Sequence, residues 1–474
     1  MHCGLFGHVD SGKTAIAAVL SQVVSTAGLD AHPQAKKRGI SIDLGFTSFN
    51  LDEFKIALVD APGHADLIRS VVASANIIDL AILVIDATKG PEMQTGEHMV
   101  ILESLGIEQV LVAMNKIDLI DGQPEDKAQE VRRFLKQSGT VFANAPIVPV
   151  SAKNEAGFDF LLDELRKMLA SVNISRDLDS PFLMPFDHHF QVKGFGTIMT
   201  GTILSGKVKI GDMVQINPLK MMGKVKSIHI FKESYKTASA GDRVGIAVSG
   251  IDNSKLYRGC MLSKPDTVLT TTHLQVEIRL NRFFKHPINF HSQVHATSGM
   301  LTVPGYIYPY EIIEGGKRLF LPSITKKSNI GKPIKAYLHL LEPLPCRLGF
   351  PLILSRLDLS PQELRIAAHG EISLVLDGPP PFFKIKTKIG KVKNGPKGII
   401  ENLAYSIEGA KRITGKDVRI IEFRNGKENI HEGMILEPFG TKGNVRVEIK
   451  GYVLQEDDEV LLEYPKPKNL PEKY

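Results

Sequence analysis

Residues 7–14 read GHVDSGKT, a match to G-x-x-x-x-G-K-[ST], set directly after the apolar stretch GLF and ahead of the helical run KTAIAAVLSQVVSTA (13–27). A strand that ends in such a loop and reopens as a helix belongs in an α/β sheet. The loop N–H groups and the helix N-terminus together carry the partial positive charge that surrounds phosphate oxygens. Asp10, Ser11 and Gly12 bring backbone to the phosphates, Lys13 neutralises the β- and γ-phosphates, and the Thr14 hydroxyl is a Mg²⁺ ligand. The following sequence agrees with this placement. KIALVDA (55–61), LAILVIDA (80–87), QVLVAMN (109–115) and PIVPVSA (146–152) are near-continuous apolar runs, as strands buried on both faces must be. Helical stretches at 95–106, 125–139 and 157–172 lie between and after them, which predicts a mostly parallel sheet in a nucleotide-binding domain over residues 1–177.

Three further elements narrow the nucleotide. DAPGH (60–64) closes a strand: Asp60 reaches the metal through water, and Gly63 lets the backbone approach a γ-phosphate. NKID (115–118) closes another, where open α/β sheets bind ligands. A carboxylate at Asp118 accepts two hydrogen bonds from guanine N1 and N2, a pair adenine lacks, so GTP is expected over ATP. Asn115 braces the loop, Lys116 lies over the base, and Ser151, Ala152 and Lys153 offer backbone donors to the guanine oxygen. KKRGISIDLGF (36–46) falls where a switch segment belongs, with Ser41 as second Mg²⁺ ligand while the γ-phosphate is present. Four elements in order, each at a strand end, define a GTPase domain.

Past ISRDLDSP the pattern becomes short strands divided by Gly, Asn and Asp turns. It predicts β-barrel-like domains over 181–266 and 267–378. The proline-rich DGPPPFF (377–383) marks the next boundary. A fourth, β-rich domain (382–474) opens with KIKTKIGKVK (384–393), which alternates lysine with apolar residues. Lys384, Lys386, Lys388, Lys391 and Lys393 either meet RNA phosphate or solubilise a strand face. A chain of 474 residues is too long for one core. Its net charge of +6 is too small to signal nucleic-acid binding by itself. Cys3, Cys260 and Cys346 form no C-x-x-C pair, so a reducing cytoplasm is the expected setting. No apolar run spans a bilayer, and the N-terminus enters a strand directly, leaving no room for a signal peptide.

GHVDSGKT, RGISI, DAPGH and NKID followed by β domains resemble the translational GTPases, the elongation factor Tu branch in particular. FQVKGFGTIMTGTILSGKVKIGD is similar to the opening of that branch's second domain, and LSRLDLSPQELRIAAHGEI to the close of its third. RGISIDLGF, DAPGHADLIR, QTGEH and the short span from Lys13 to Arg38 are most similar to the SelB family of selenocysteine-specific elongation factors. The fourth segment looks like the extra domain of its archaeal and eukaryotic forms. The resemblance implies a cytoplasmic GTPase that uses GTP/GDP and Mg²⁺ and carries selenocysteinyl-tRNA to the ribosome at recoded UGA codons, hydrolysing GTP on delivery. His64 then positions the attacking water. The fourth domain meets the ribosome, the messenger RNA recoding element or a protein bound to that element; no membrane partner is implied. Two positions depart from the pattern: Ser41 stands where most of the family has threonine, and Ser11 where a histidine is common. The alternatives are a general aminoacyl-tRNA elongation factor and an initiation factor two gamma-like GTPase, which typically carries a cysteine-based zinc knuckle absent from this sequence.

FDHHFQ (186–191) places Asp187, His188 and His189 side by side. A shared metal is disfavoured because neighbouring strand residues point to opposite faces. A solvated strand edge is the plain alternative. By the resemblance, this stretch and AGDRVG (240–245) line the aminoacyl pocket, with Asp187, His188 and Arg243 as its side chains. A selenol ionises near neutral pH, and Arg243 with His188 would stabilise the selenolate where serine's hydroxyl gains much less. Strand alternation pairs Asp187 with His189, whereas the resemblance favours His188.

Overall fold

The computed structural model describes residues 1–21, 23–24, 45–60, 78–171, 176–192, 196–230, 233–325, 333–360, 363–424, 427–468 and 470. The chain divides into two compact units, one of residues 1–309 with 322–379, the other of 310–321 with 380–474.

The first unit begins with a seven-stranded sheet in the order β2-β3-β4-β1-β5-β6-β7. Its strands are β1 (His2–Phe6), β2 (Val23–Val24), β3 (Gly45–Leu51), β4 (Phe54–Asp60), β5 (Leu80–Asp86), β6 (Val110–Asn115) and β7 (Ile147–Pro149). From β4 through β7 neighbours run parallel, while β2 and β3 add an antiparallel edge. Every residue of β1, β5 and β6 is buried, because helices cover both faces. Ile16 and Leu20 of α1 (Lys13–Leu20) and Leu161 and Leu165 of the Phe158–Ser171 helix pack on Leu5, Ile82 and Val84. Met99 and Leu102 of the Met93–Ser104 helix and Val131 and Leu135 of the Pro124–Ser138 helix pack on Phe6, Leu83 and Val112. The helix expected over 13–27 stops earlier, at Leu20. Ser21 turns extended, and the β-branched pair Val23–Val24 joins the sheet against Thr47 and Ser48. The Pro124–Ser138 helix has clear termini: Pro124 at its first position, Glu125 and Asp126 in its first turn, and Gly139 at φ 62° closing it.

The same unit contains two antiparallel barrels. In the first, β8 (Leu183–Val192) and β9 (Gly196–Thr202) lie between the strands Met261–Ser263 and Arg243–Ser249, and pairing of Met213–Asn217 with Met221–Ile230 closes the sheet. Phe186, Met199, Val214, Ile228, Val244 and Ile246 fill it. In the second, Leu269–Leu280 is flanked by Ile334–Cys346 and Ile366–Val375, and Ser292–Ser298 closes the ring against Leu301–Ile313. The second unit is a further barrel. Strand Phe382–Asn394 pairs with Glu459–Lys468 on one side and Ile399–Glu401 on the other, around Val392, Ile400, Ile420, Val445 and Leu462. Segment Lys317–Phe320 adds to it in parallel, Arg318 opposite Phe382. The α/β domain followed by three β-rich, barrel-like domains is the architecture the sequence predicts. No helix among the described residues is long and apolar enough to cross a membrane.

Candidate functional site

The phosphate loop connects β1 to α1 through three left-handed or otherwise positive-φ residues: Gly7 at φ 141°, Asp10 at 62° and Gly12 at 93°. Position 12 admits only glycine, since a Cβ there would lie 2.1 Å from Asn115 Nδ2. Lys13 is 6 % exposed, and its ammonium donates to Gly7 O (3.0 Å) and His8 O (2.8 Å), which folds the charge into the loop. Thr14 follows in the first turn of α1. The Ser11 hydroxyl is buried with no protein partner among the described residues. An orphaned hydroxyl and a buried ammonium at the start of a helix are donors suited to a polyphosphate.

The base loops are tied to this cradle. Asn115 ends β6 and is 2 % exposed; its Nδ2 donates to Ser11 O (3.0 Å), while its Oδ1 accepts from Ala152 N (3.1 Å). One amide side chain thus joins the phosphate loop, NKID and SAK. Asp118 is exposed, and one carboxylate oxygen accepts from Ser151 Oγ at 2.6 Å. Lys116 sits at φ 69°, its ammonium 2.7 Å from Asp86 Oδ2; Lys153 is exposed. Burial would raise the Asp86 carboxyl, but Lys116 and Thr88 outweigh it and hold it below the usual range. Asp60 closes β4. Ser41, Gly63 and His64 lie outside the described residues.

Sequence reasoning missed two supports of the loop. Both sit on QTGEH (94–98), whose signal in the sequence is a family likeness. His98 Nδ1 accepts the Gly7 N–H at 2.8 Å, and Gln94 Oε1 accepts that of Val9 at 3.3 Å. Burial, with Lys13 and His8 nearby, pushes His98 down to about 3, so the ring stays neutral and accepts. Helical spacing brings Glu97 to an adjacent face, where it accepts from Arg365 N at 3.4 Å. Burial raises Glu97 to about 7 against the opposing influence of Arg365. Between about pH 4.5 and 7 the folded chain therefore holds a proton that the unfolded chain releases, and stability falls as pH rises through that window. Glu97→Gln should flatten this decline. Thermal melts at about pH 5 and pH 8 check it: the parent's Tm should drop between the two by several degrees more than the variant's.

The second constellation lies on β8. Phe186 pairs with Gly201 but His188 with Thr200, so a bulge at Asp187 sets two residues against one. The bulge suspends the alternation that would have grouped Asp187 with His189. Asp187, its side chain fully buried, accepts both arms of the Arg243 guanidinium, one of them at 3.0 Å, together with His188 Nδ1 (2.9 Å) and Thr200 Oγ1 (2.9 Å). A carboxylate can only accept, so His188 Nδ1 carries the proton. Burial would raise the Asp187 carboxyl; Arg243 and His188 outweigh it and hold it well below the usual range. His188 is the more open member, 33 % exposed at the side chain against 11 % for Arg243. His189 turns elsewhere, to Asn253 Oδ1 at 3.0 Å. Thr200 is a member the sequence did not reveal.

Residues 1–171 match the elongation factor Tu GTP-binding domain, 196–263 elongation factor Tu domain 2, and 269–375 domain III of the archaeal selenocysteine-specific elongation factor. These define a translational GTPase of the elongation factor Tu type. The chain is 40 % identical over 446 residues, 94 % of its length and 93 % of the relative's, to a selenocysteine-specific elongation factor of Methanocaldococcus jannaschii. With that of Mus musculus it shares 38 % over 64 % of its length and 56 % of the relative's. The crystal structure of elongation factor SelB from Methanococcus maripaludis in complex with the GTP analogue GPPNHP superposes with a TM-score of 0.80 at 36 % identity, covering 98 % of both chains. The chain belongs to the selenocysteine-specific elongation factor family. It is a GTP-binding GTPase of translation.

Proposed function

We propose that this factor binds selenocysteinyl-tRNA and delivers it to the ribosome at recoded UGA codons, hydrolysing GTP on delivery in the cytoplasm. The observation that carries the reading is the bulge-borne cluster of Asp187, His188 and Arg243. Asp187 is paired with Arg243, and His188, the more open member of the cluster, brings an imidazole beside that guanidinium to the mouth, where a selenolate would be met by cationic and N–H donor groups. A neutral serine hydroxyl gains little there.

In the nucleotide site, Asp10, Ser11, Gly12, Lys13, Thr14 and Gly63 take the phosphates, and Asn115, Lys116, Asp118, Ser151, Ala152 and Lys153 take the guanine. Thr14, Ser41 and, through water, Asp60 would hold Mg²⁺, which supplies charge neutralisation at the phosphates. His64 positions the attacking water. The working division is a GTP-binding domain (1–177), an aminoacyl domain (181–266), a tRNA-contacting domain (267–378) and a C-terminal domain (382–474) that engages the recoding machinery. The test is protection of the aminoacyl ester from hydrolysis, with GTP present, for selenocysteinyl-, cysteinyl- and seryl-forms of one tRNA. Selenocysteinyl-tRNA should be protected at least about tenfold better than seryl-tRNA; equal protection of the three overturns the reading.

A further inference from the structure

The lysine-alternating strand Phe382–Asn394 has two unlike faces. On one, Thr387 and Arg419 both bind Glu463. Lys384, Lys386 and Lys388 share the other face, since register with Glu459–Lys468 is continuous from Phe382 to Lys391. Lys466 stands opposite Lys384, and Tyr464 opposite Lys386. Ring faces and a carbonyl meet two lysines of this barrel, Lys388 and Lys416. Lys416 Nζ lies 4.3 Å from the Tyr464 ring centroid, Lys388 Nζ lies 5.9 Å from that of Tyr405, and Lys388 also donates to Leu403 O. Burial, then Lys386 and Lys416, lower Lys388 below its ordinary value. A merely solubilising face would not gather like charges beside tyrosines.

Tyr405 is the second observation. Its ring is 88 % exposed, yet the backbone beneath is fixed. Leu403 and Ala404 are buried in the barrel core, and the Ser406 hydroxyl caps the Ile407–Ile413 helix by accepting from Gly409 N at 3.1 Å. Gly443 packs so closely under this turn that a Cβ would come within 2.8 Å of Ala404 O. A tyrosine held outward on rigid backbone beside clustered ammonium groups is a stacking platform with phosphate sites next to it. Every base has a π-face to stack, and the neighbouring lysines meet the backbone that carries it.

We propose that this face of the C-terminal barrel binds single-stranded RNA, with an unpaired base stacked on Tyr405 and the flanking phosphates on Lys384, Lys386 and Lys388. The surface is distinct from the aminoacyl cluster and does not depend on it. The experiment titrates the full chain into a fluorescein-labelled oligouridylate of about twelve nucleotides over a series of salt concentrations. This probe carries no aminoacyl end, so its failure to bind would leave the tRNA reading standing. Tyr405→Ala should weaken binding by about tenfold while Tyr405→Phe retains it. Lys384→Ala and Lys386→Ala should each weaken it and flatten the slope of log affinity against log salt by about 0.7. These side chains are exposed, so the variants should melt as the parent does. Absence of binding, or binding that loses strength only with the lysines and is indifferent to Tyr405→Ala, overturns the proposal.

Discussion

Arg243→Ala should destabilise the barrel around β8 by about 3–5 kcal/mol and remove the preference for selenocysteinyl- over seryl-tRNA. The first effect follows from burial. Asp187 has no exposed side-chain surface, and deleting the guanidinium leaves its carboxylate inside the protein with only His188 and Thr200 as donors. The second follows from charge, because an uncompensated Asp187 would repel a selenolate. A single variant cannot separate them, whereas a double-mutant cycle can. Asp187→Asn with Arg243→Met removes both charges and should recover most of the lost stability, read as Tm, while discrimination in the ester-protection assay stays lost. If the double variant regains discrimination along with stability, the cluster is a structural brace and the aminoacyl reading of it is wrong. If Arg243→Ala discriminates as well as the parent, the same conclusion follows.

How far these sites could be read from sequence depended on where the determining contacts lie. The GTP-binding domain was legible because each of its motifs is local: a loop, a strand end, a short run. Each has a chemistry fixed by one or two residue types. The parallel sheet was legible for the same reason, since β1, β5 and β6 are buried on both faces and must be apolar throughout. What escaped was long-range. Asn115 joining the phosphate loop to the base loops spans 104 residues, and His98 under Gly7 spans 91; no periodicity encodes such pairings. The choice between His188 and His189 turned on a bulge, and a bulge is a property of register between two strands. Alternation, applied to β8 alone, gives the wrong neighbour. The early end of α1 has a related cause: KTAIAAVLSQVV is amphipathic enough for a longer helix, but an open sheet edge recruits Val23–Val24.

Asp118→Asn should lower GTP affinity by about 10²- to 10⁴-fold, because two charge-assisted hydrogen bonds worth about 1.5–3 kcal/mol each are lost. The substitution should leave the fold intact. Ser151 Oγ donates to one carboxylate oxygen of Asp118 at 2.6 Å, and an asparagine carbonyl accepts that bond equally well. The other oxygen becomes an NH₂ group that meets the guanine N2 amino group donor to donor. Xanthine carries a carbonyl at that ring position, so the variant should bind xanthosine triphosphate better than GTP, reversing the parent's order. Nucleotide titration by calorimetry checks both halves. An affinity for GTP within about tenfold of the parent's would take Asp118 out of the base pocket. A loss for both nucleotides would instead point to collapse of the loop that Asn115 holds between Ser11 and Ala152. That second outcome has its own signature, since a collapsed loop also releases the phosphate cradle and should weaken binding of the triphosphate group whatever base it carries. Reversal of base preference with the phosphate site intact is therefore the result that assigns Asp118 its role.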